Sequence, residues 1–189
     1  MNNIIISGEG GQGVRLISHT LATLLANLGY EVSLLYDYDS AVRGAMSVAY
    51  LTFDVQPIAN PVPDKADLLL RLSPKGLGFQ ARRTVCESGL CTEEEIPFSK
   101  YGVEKFGKEI FGNMIAMGRL LRLIGIKVSR KELTRVLPLQ YSEENVSAVQ
   151  FGYSLKEGEL GAGVLSRQRY DTDSEDLPSQ VEPEPVPPQ

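Results

Sequence analysis

The sequence predicts an α/β chain, a mostly parallel sheet flanked by helices, and three observations carry that reading. Short apolar runs alternate with a segment of helical periodicity, a glycine-rich turn separates the first run from the first helix, and 42% of the 189 residues are hydrophobic. A chain of that size and composition fills one core and not two. The order of strand, glycine turn, helix and strand makes the fold Rossmann-like.

Asn3 to Ser7 reads as the first strand, and Gly8-Glu9-Gly10-Gly11-Gln12-Gly13 follows it. Val14, Ile17, Leu21, Leu24, Leu25 and Leu28 then recur at helical spacing, with Arg15, Ser18, His19 and Ala22 on the opposite side, so this helix covers a sheet. Gly29 stops it. Glu31 to Tyr36 is the second strand and Ser47 to Phe53 the third. A proline-bearing loop over residues 60–64 precedes Ala66 to Leu72, whose continuous apolar run suits a central strand buried on both faces. Pro74 to Gln80 is too short and glycine-rich for a full crossover helix, and Arg83 to Glu87 is a weaker strand. The pattern assigns no element to residues 88–109.

Phe111 to Ile124 has helical periodicity and ends at Gly125. Ser129-Arg130-Lys131-Glu132 is a capping box for a short helix ended by Pro138, and Ser142 is the expected cap of a last helix running towards Leu155. The domain is expected to span residues 1–163. Residues 164–189 form an acidic, proline-rich tail expected to be disordered.

The formal net charge is −5, but six acids lie between Asp171 and Glu184 with no base among them, which leaves the body near neutrality and argues against a nucleic-acid surface. No stretch reaches the length of a membrane span and no basic leader precedes the first strand, so a cytoplasmic location away from the membrane is expected. The two cysteines, Cys86 and Cys91, could bridge or help to ligate a metal. They are too few for a tetrahedral site with the single histidine far away, so free thiols and no metal are expected.

Two blocks carry the chemistry. The glycine hexamer sits between a strand and a helix, where backbone N–H groups converge on an anion; a tight turn that binds nothing would need the same small residues. Asp37 follows at the distance of a ribose-binding carboxylate, which makes a dinucleotide site one reading. The second block, Tyr36 to Ser47, places Tyr38, Arg43, Gly44 and Ser47 at the C-terminal edge of the sheet. Arg43 offers a planar fork for phosphate or carboxylate, or an internal ion pair with Asp37 or Asp39. His19 reads as a surface histidine, and Asp67 as a structural carboxylate, a helix-cap partner, more than a site residue.

The two blocks together resemble the gamma subunit, or gamma domain, of the 2-oxoacid:acceptor oxidoreductases, which act on pyruvate, 2-oxoisovalerate, 2-oxoglutarate or indolepyruvate. Gly8 to Val14 is similar to the opening signature of that family, Leu21-Ala22 and Gly29 to its first helix, and Arg43-Gly44 with Ser47 to its Arg-Gly-Gly-x-Ser block. Asp67-Leu68-Leu69, Asn113 with Gly118, and Asn145, Ala148 and Gly152 extend the resemblance over residues 3–155. Ala45 stands where the family usually has its second glycine, and Ala41 where many members have an acid.

The resemblance implies a hetero-oligomeric enzyme that decarboxylates a 2-oxoacid on thiamine diphosphate and magnesium, passes electrons through iron–sulfur clusters to ferredoxin, and gives the acyl group to coenzyme A. It also implies that this chain is not active alone. There is no Gly-Asp-Gly element for a magnesium diphosphate site, and two cysteines cannot hold a four-thiolate cluster. Thiamine diphosphate and clusters then belong mainly to partner subunits. Gly8, Gly10, Gly11, Gln12, Gly13, Tyr38, Arg43, Gly44 and Ser47 are the candidate binding residues, and no catalytic residue is assigned. A stand-alone dinucleotide enzyme and a non-catalytic interaction protein of the same fold are the alternatives.

Overall fold

The computed structural model describes residues 2–38, 45–60, 62, 65–75 and 78–156, with Tyr38 described by its backbone only. The elements run β1 (Asn2–Glu9), α1 (Val14–Asn27), β2 (Glu31–Tyr38), β3 (Met46–Asp54), β4 (Ala66–Arg71), β5 (Ala81–Glu87), β6 (Glu94–Ile96), α2 (Phe98–Phe106), α3 (Phe111–Leu123), α4 (Arg130–Val136) and α5 (Ser142–Ser154). They form one sheet in the order β2-β3-β1-β4-β5-β6. β3 is antiparallel to both of its neighbours, and every other pairing is parallel. The direction of β3 follows from the seven residues between Tyr38 and Met46, which are too few for the crossover a parallel neighbour needs.

Side-chain alternation divides the sheet into two unequal faces. Ile4, Ile6, Leu51, Phe53, Leu68, Leu70 and Val85 join residues from all five helices in the main core. Their neighbours Ile5, Val48 and Leu69 point the other way, into a small cluster edged by Met46, Tyr50, Phe79 and Ala81, with no helical residue in it. The described helices therefore pack on one face. At the closest crossing, α3 against α5, a Cβ on Gly118 would lie 2.0 Å from the Val149 carbonyl oxygen, so the glycines there set the helix separation.

Several expectations need correction. Ser18 and Ala22, assigned to the polar side of α1, are buried; the Ser18 hydroxyl lies 3.1 Å from the Tyr36 phenol oxygen and donates to the Arg15 carbonyl, so its polarity is satisfied inside. Ser142 does not cap α5. It is the first helical residue, after Tyr141 in the left-handed region at φ 59°. Cys86 and Cys91 are not free thiols but a disulfide with Cα atoms 6.1 Å apart. Counting metal ligands says nothing about pairing, and the turn at Gly89, φ 81°, brings β5 back so that the two meet. Residues 88–109, given no element, hold β6 and α2.

The capping box of α4 is present in full: Glu132 N–H donates to Ser129 Oγ, and Ser129 N–H to Glu132 Oε2. His19 is exposed. No described helix is long and apolar enough to cross a membrane. The expected tail, 164–189, lies outside the described residues.

Candidate functional site

The chain must turn sharply from the end of β1 into α1, and the glycine hexamer does so through two left-handed residues, Gly11 at φ 95° and Gly13 at φ 81°. The turn is braced from within. Glu9 N–H donates to Gln12 Oε1 at 2.7 Å and Gln12 N–H to the Glu9 carbonyl at 3.0 Å, so the Gln12 side chain holds the loop. Gly8 is needed for room, since a Cβ there would meet Val14 Cγ2 at 2.8 Å. At Gly13 a Cβ would lie 2.2 Å from Asn113 Nδ2, so α3 presses its amide against the loop. The sequence marks Asn113 only by resemblance. Its contact with the loop had no local signal.

The second block meets the first directly. Gly10 N–H donates to the Ala45 carbonyl at 3.2 Å, immediately before β3 begins. Ser47 then stands across from Gly8 on one side and from Tyr38 on the other, so Tyr38, Ser47 and Gly8 form a row over three adjacent strands. All five glycine-loop candidates, Ser47 and the Tyr38 backbone thus share one edge of the sheet. Arg43 and Gly44, with the expected ion pair to Asp37 or Asp39, lie outside the described residues.

This edge is prepared for an anion. Gly13 offers no side chain to cap α1, and the N–H groups of Gly11, Gly13 and Val14 have no partner among the described residues. The first turn of α1 has no acid and instead carries the exposed Arg15, the reverse of the usual complement to a helix dipole. Free amides, a positive helix end and a nearby guanidinium suit a phosphate or carboxylate. Beside the loop, a cleft of about 350 Å³ runs between Gln12, Leu72, Phe98 and Asn113. Glu87 lines it too, but its carboxylate accepts the N–H groups of Ser88 and Ser99 and so anchors the start of α2.

The dinucleotide reading fails on topology. A ribose-binding acid belongs at the end of a strand next to β1, whereas β3 separates β2 from β1 and puts Asp37 about 10 Å away across two strand spacings. Asp37 also faces the helix-free side, where its carboxylate adds to burial in pushing the Tyr50 phenol above its ordinary pKa. Asp67 is structural, as expected, though not as a helix cap: it accepts Asn3 N–H at 3.0 Å and lies 3.4 Å from Arg82.

Residues 3–89 match the family model described as pyruvate ferredoxin/flavodoxin oxidoreductase. Those residues carry that oxidoreductase domain. Among its relatives is 2-oxoglutarate synthase subunit KorC of Archaeoglobus fulgidus, 28% identical over 81% of this chain and 87% of the relative. The gamma subunit of keto/oxoacid ferredoxin oxidoreductase from Geobacter sulfurreducens superposes with a TM-score of 0.65 at 22% identity, covering 81% of this chain and 96% of that one. A 2-oxoglutarate:ferredoxin oxidoreductase from Magnetococcus marinus, solved with 2-oxoglutarate, coenzyme A and succinyl-CoA bound, gives a TM-score of 0.63 at 18% identity; the match spans 80% of this chain but 30% of that one. The domain here is thus similar in sequence to a subunit of a 2-oxoacid oxidoreductase and shares the mostly parallel sheet and flanking helices of the gamma-subunit fold.

Proposed function

We propose that the chain works as the gamma-type subunit of a 2-oxoacid:ferredoxin oxidoreductase and that its glycine-loop edge receives the phosphates of coenzyme A at a crevice shared with partner subunits. The observation that carries this reading is the Gly10 to Ala45 hydrogen bond, which joins the two motifs into one amide-lined edge. In the assembled enzyme, thiamine diphosphate supplies the carbanion-stabilising chemistry of decarboxylation and iron–sulfur clusters take the two electrons to ferredoxin.

Those groups belong to partner chains. The two cysteines of this chain are consumed by a disulfide, and among the described residues no group of three His, Cys, Asp or Glu is placed to hold a metal. Coenzyme A is different, because the unbonded amides of Gly11, Gly13 and Val14 fit a phosphate. Gly8 and Gln12 shape that loop, Ser47 and Tyr38 flank it, and Arg43 and Gly44, which stand just before Ala45 in the sequence, are the further candidate contacts.

Purification of the native chain followed by mass identification of what accompanies it tests the assignment. A thiamine diphosphate-binding subunit and a ferredoxin-like subunit should be recovered with it. Recovery of the chain alone, under conditions that hold other multi-subunit enzymes together, would contradict the assignment.

A further inference from the structure

We infer that the helix-free face of the sheet holds a second anion site, centred on Arg71, that takes a small oxyanion such as a phosphate or carboxylate group. It is independent of the glycine-loop edge and of the oxidoreductase reading. Arg71 ends β4 and, like Leu69 two residues before it, points away from the helices. Only 8% of it is exposed. Its Nε is buried with no hydrogen-bond partner, and among the described residues no carboxylate pairs with its guanidinium.

That condition is costly, because a guanidinium N–H taken out of water without a partner forfeits hydration that nothing replaces, and a charge this far from solvent lacks a counter-charge. The acid on the same strand face cannot relieve it. Asp67, four residues earlier, is engaged by Asn3 N–H and Arg82. Among the other described residues, the semi-buried Arg83 and the buried Arg119 each meet a carboxylate, Arg83 at 2.8 Å from Glu94 and Arg119 at 2.5 Å from the same side chain, even though Arg119 Nη2 makes no hydrogen bond. Arg71 is the exception, and it lines an open cavity of about 450 Å³.

The rest of the lining fits a small anion. Lys65 stands at the rim in no ion pair among the described residues, Thr84 contributes a hydroxyl from β5, and Phe79 and Leu90 give apolar walls. Among the described residues Glu93 at the rim is the one acid lining the cavity and is exposed, so it meets far more solvent than Arg71 does. The planar fork of an arginine matches two oxygens of a carboxylate or phosphate at once, and an anion there supplies the missing counter-charge.

The test is isothermal titration calorimetry of the full chain at low ionic strength with inorganic phosphate in one arm and succinate in the other. Saturable binding of either at one site besides the glycine-loop edge is expected, the tighter arm identifying the oxyanion class. Arg71→Met should weaken it at least tenfold, with a thermal midpoint in the absence of anion equal to or above that of the unsubstituted chain. Lys65→Gln, at an exposed rim position, should weaken it a few-fold without touching the fold. Gly11→Val, which alters the other edge, should leave it intact. Absence of saturable binding by the Gly11→Val chain, in which the other edge is altered, or binding by that chain that survives the addition of Arg71→Met, would overturn the proposal; the subunit reading would stand, because it rests on partner recovery.

Discussion

Gly13 is constrained twice over, by a left-handed backbone and by the Asn113 amide 2.2 Å from where a Cβ would sit. Gly13→Ala is therefore expected to destabilise the chain by about 2 kcal/mol in urea unfolding, part from φ and part from displacing Asn113. Gly10→Ala, facing open space, should change stability by less than about 0.5 kcal/mol. Arg119 makes a second residue-scale prediction. Its Nε donates to Glu94 at 2.5 Å and its Nη1 to the Leu155 carbonyl at 2.6 Å, all under a side chain 2% exposed. Arg119→Met should cost about 3 kcal/mol, read as a drop in the unfolding midpoint, since it strands the far end of α5 and leaves Glu94 with Arg83 alone. The glycine hexamer was legible because its spacing carries its own turn. Arg119 was not, because its partner lies 25 residues away in a stretch without periodicity.

The elements that the sequence made plain are those whose cause is local. The box at Ser129 and Glu132 is one, and Ser129→Ala should cost about 1 kcal/mol. It should also alter pH dependence. Hydrogen bonds from the Ser129 side chain, then from its backbone, hold the Glu132 carboxyl below its ordinary pKa. A carboxyl lowered in the folded state adds stability above its unfolded pKa, and that stability is lost as pH falls through the folded value. Acid titrations of the unfolding midpoint should thus show a shallower loss in Ser129→Ala than in the unsubstituted chain. β6 and α2 escaped for a related reason. β6 has three residues, and α2 begins at Phe98 after Pro97, which offers no capping side chain. The disulfide escaped because only the Gly89 turn brings its cysteines together.

At the scale of the molecule, periodicity showed which side of each helix is buried but not which side of the sheet it covers. Ala66 to Leu72 read correctly as a buried, central strand, yet Leu69 is covered by Phe79 and its neighbours and not by a helix. The antiparallel β3 was written in the short link from Tyr38 to Met46, and it is what removes Asp37 from the glycine loop and brings Ala45 to it. That joined edge makes Arg43 a candidate ligand contact. Arg43→Ala is expected to reduce coenzyme A-dependent turnover of the complex at least tenfold while shifting the unfolding midpoint of the chain little; equal losses in both would mark Arg43 as a structural ion-pair residue.

The central claim is that this domain completes a multi-subunit enzyme through its glycine-loop edge. The most direct measurement is ferredoxin reduction driven by a 2-oxoacid and coenzyme A, made on the partner subunits with the chain left out, with it added back, and with Gly11→Val added back. The account predicts little reduction without the chain, restoration by the unsubstituted chain, and weak restoration by Gly11→Val, whose β-branched side chain cannot hold φ 95°. Full reduction by the partners alone, or equal restoration by Gly11→Val, would contradict it.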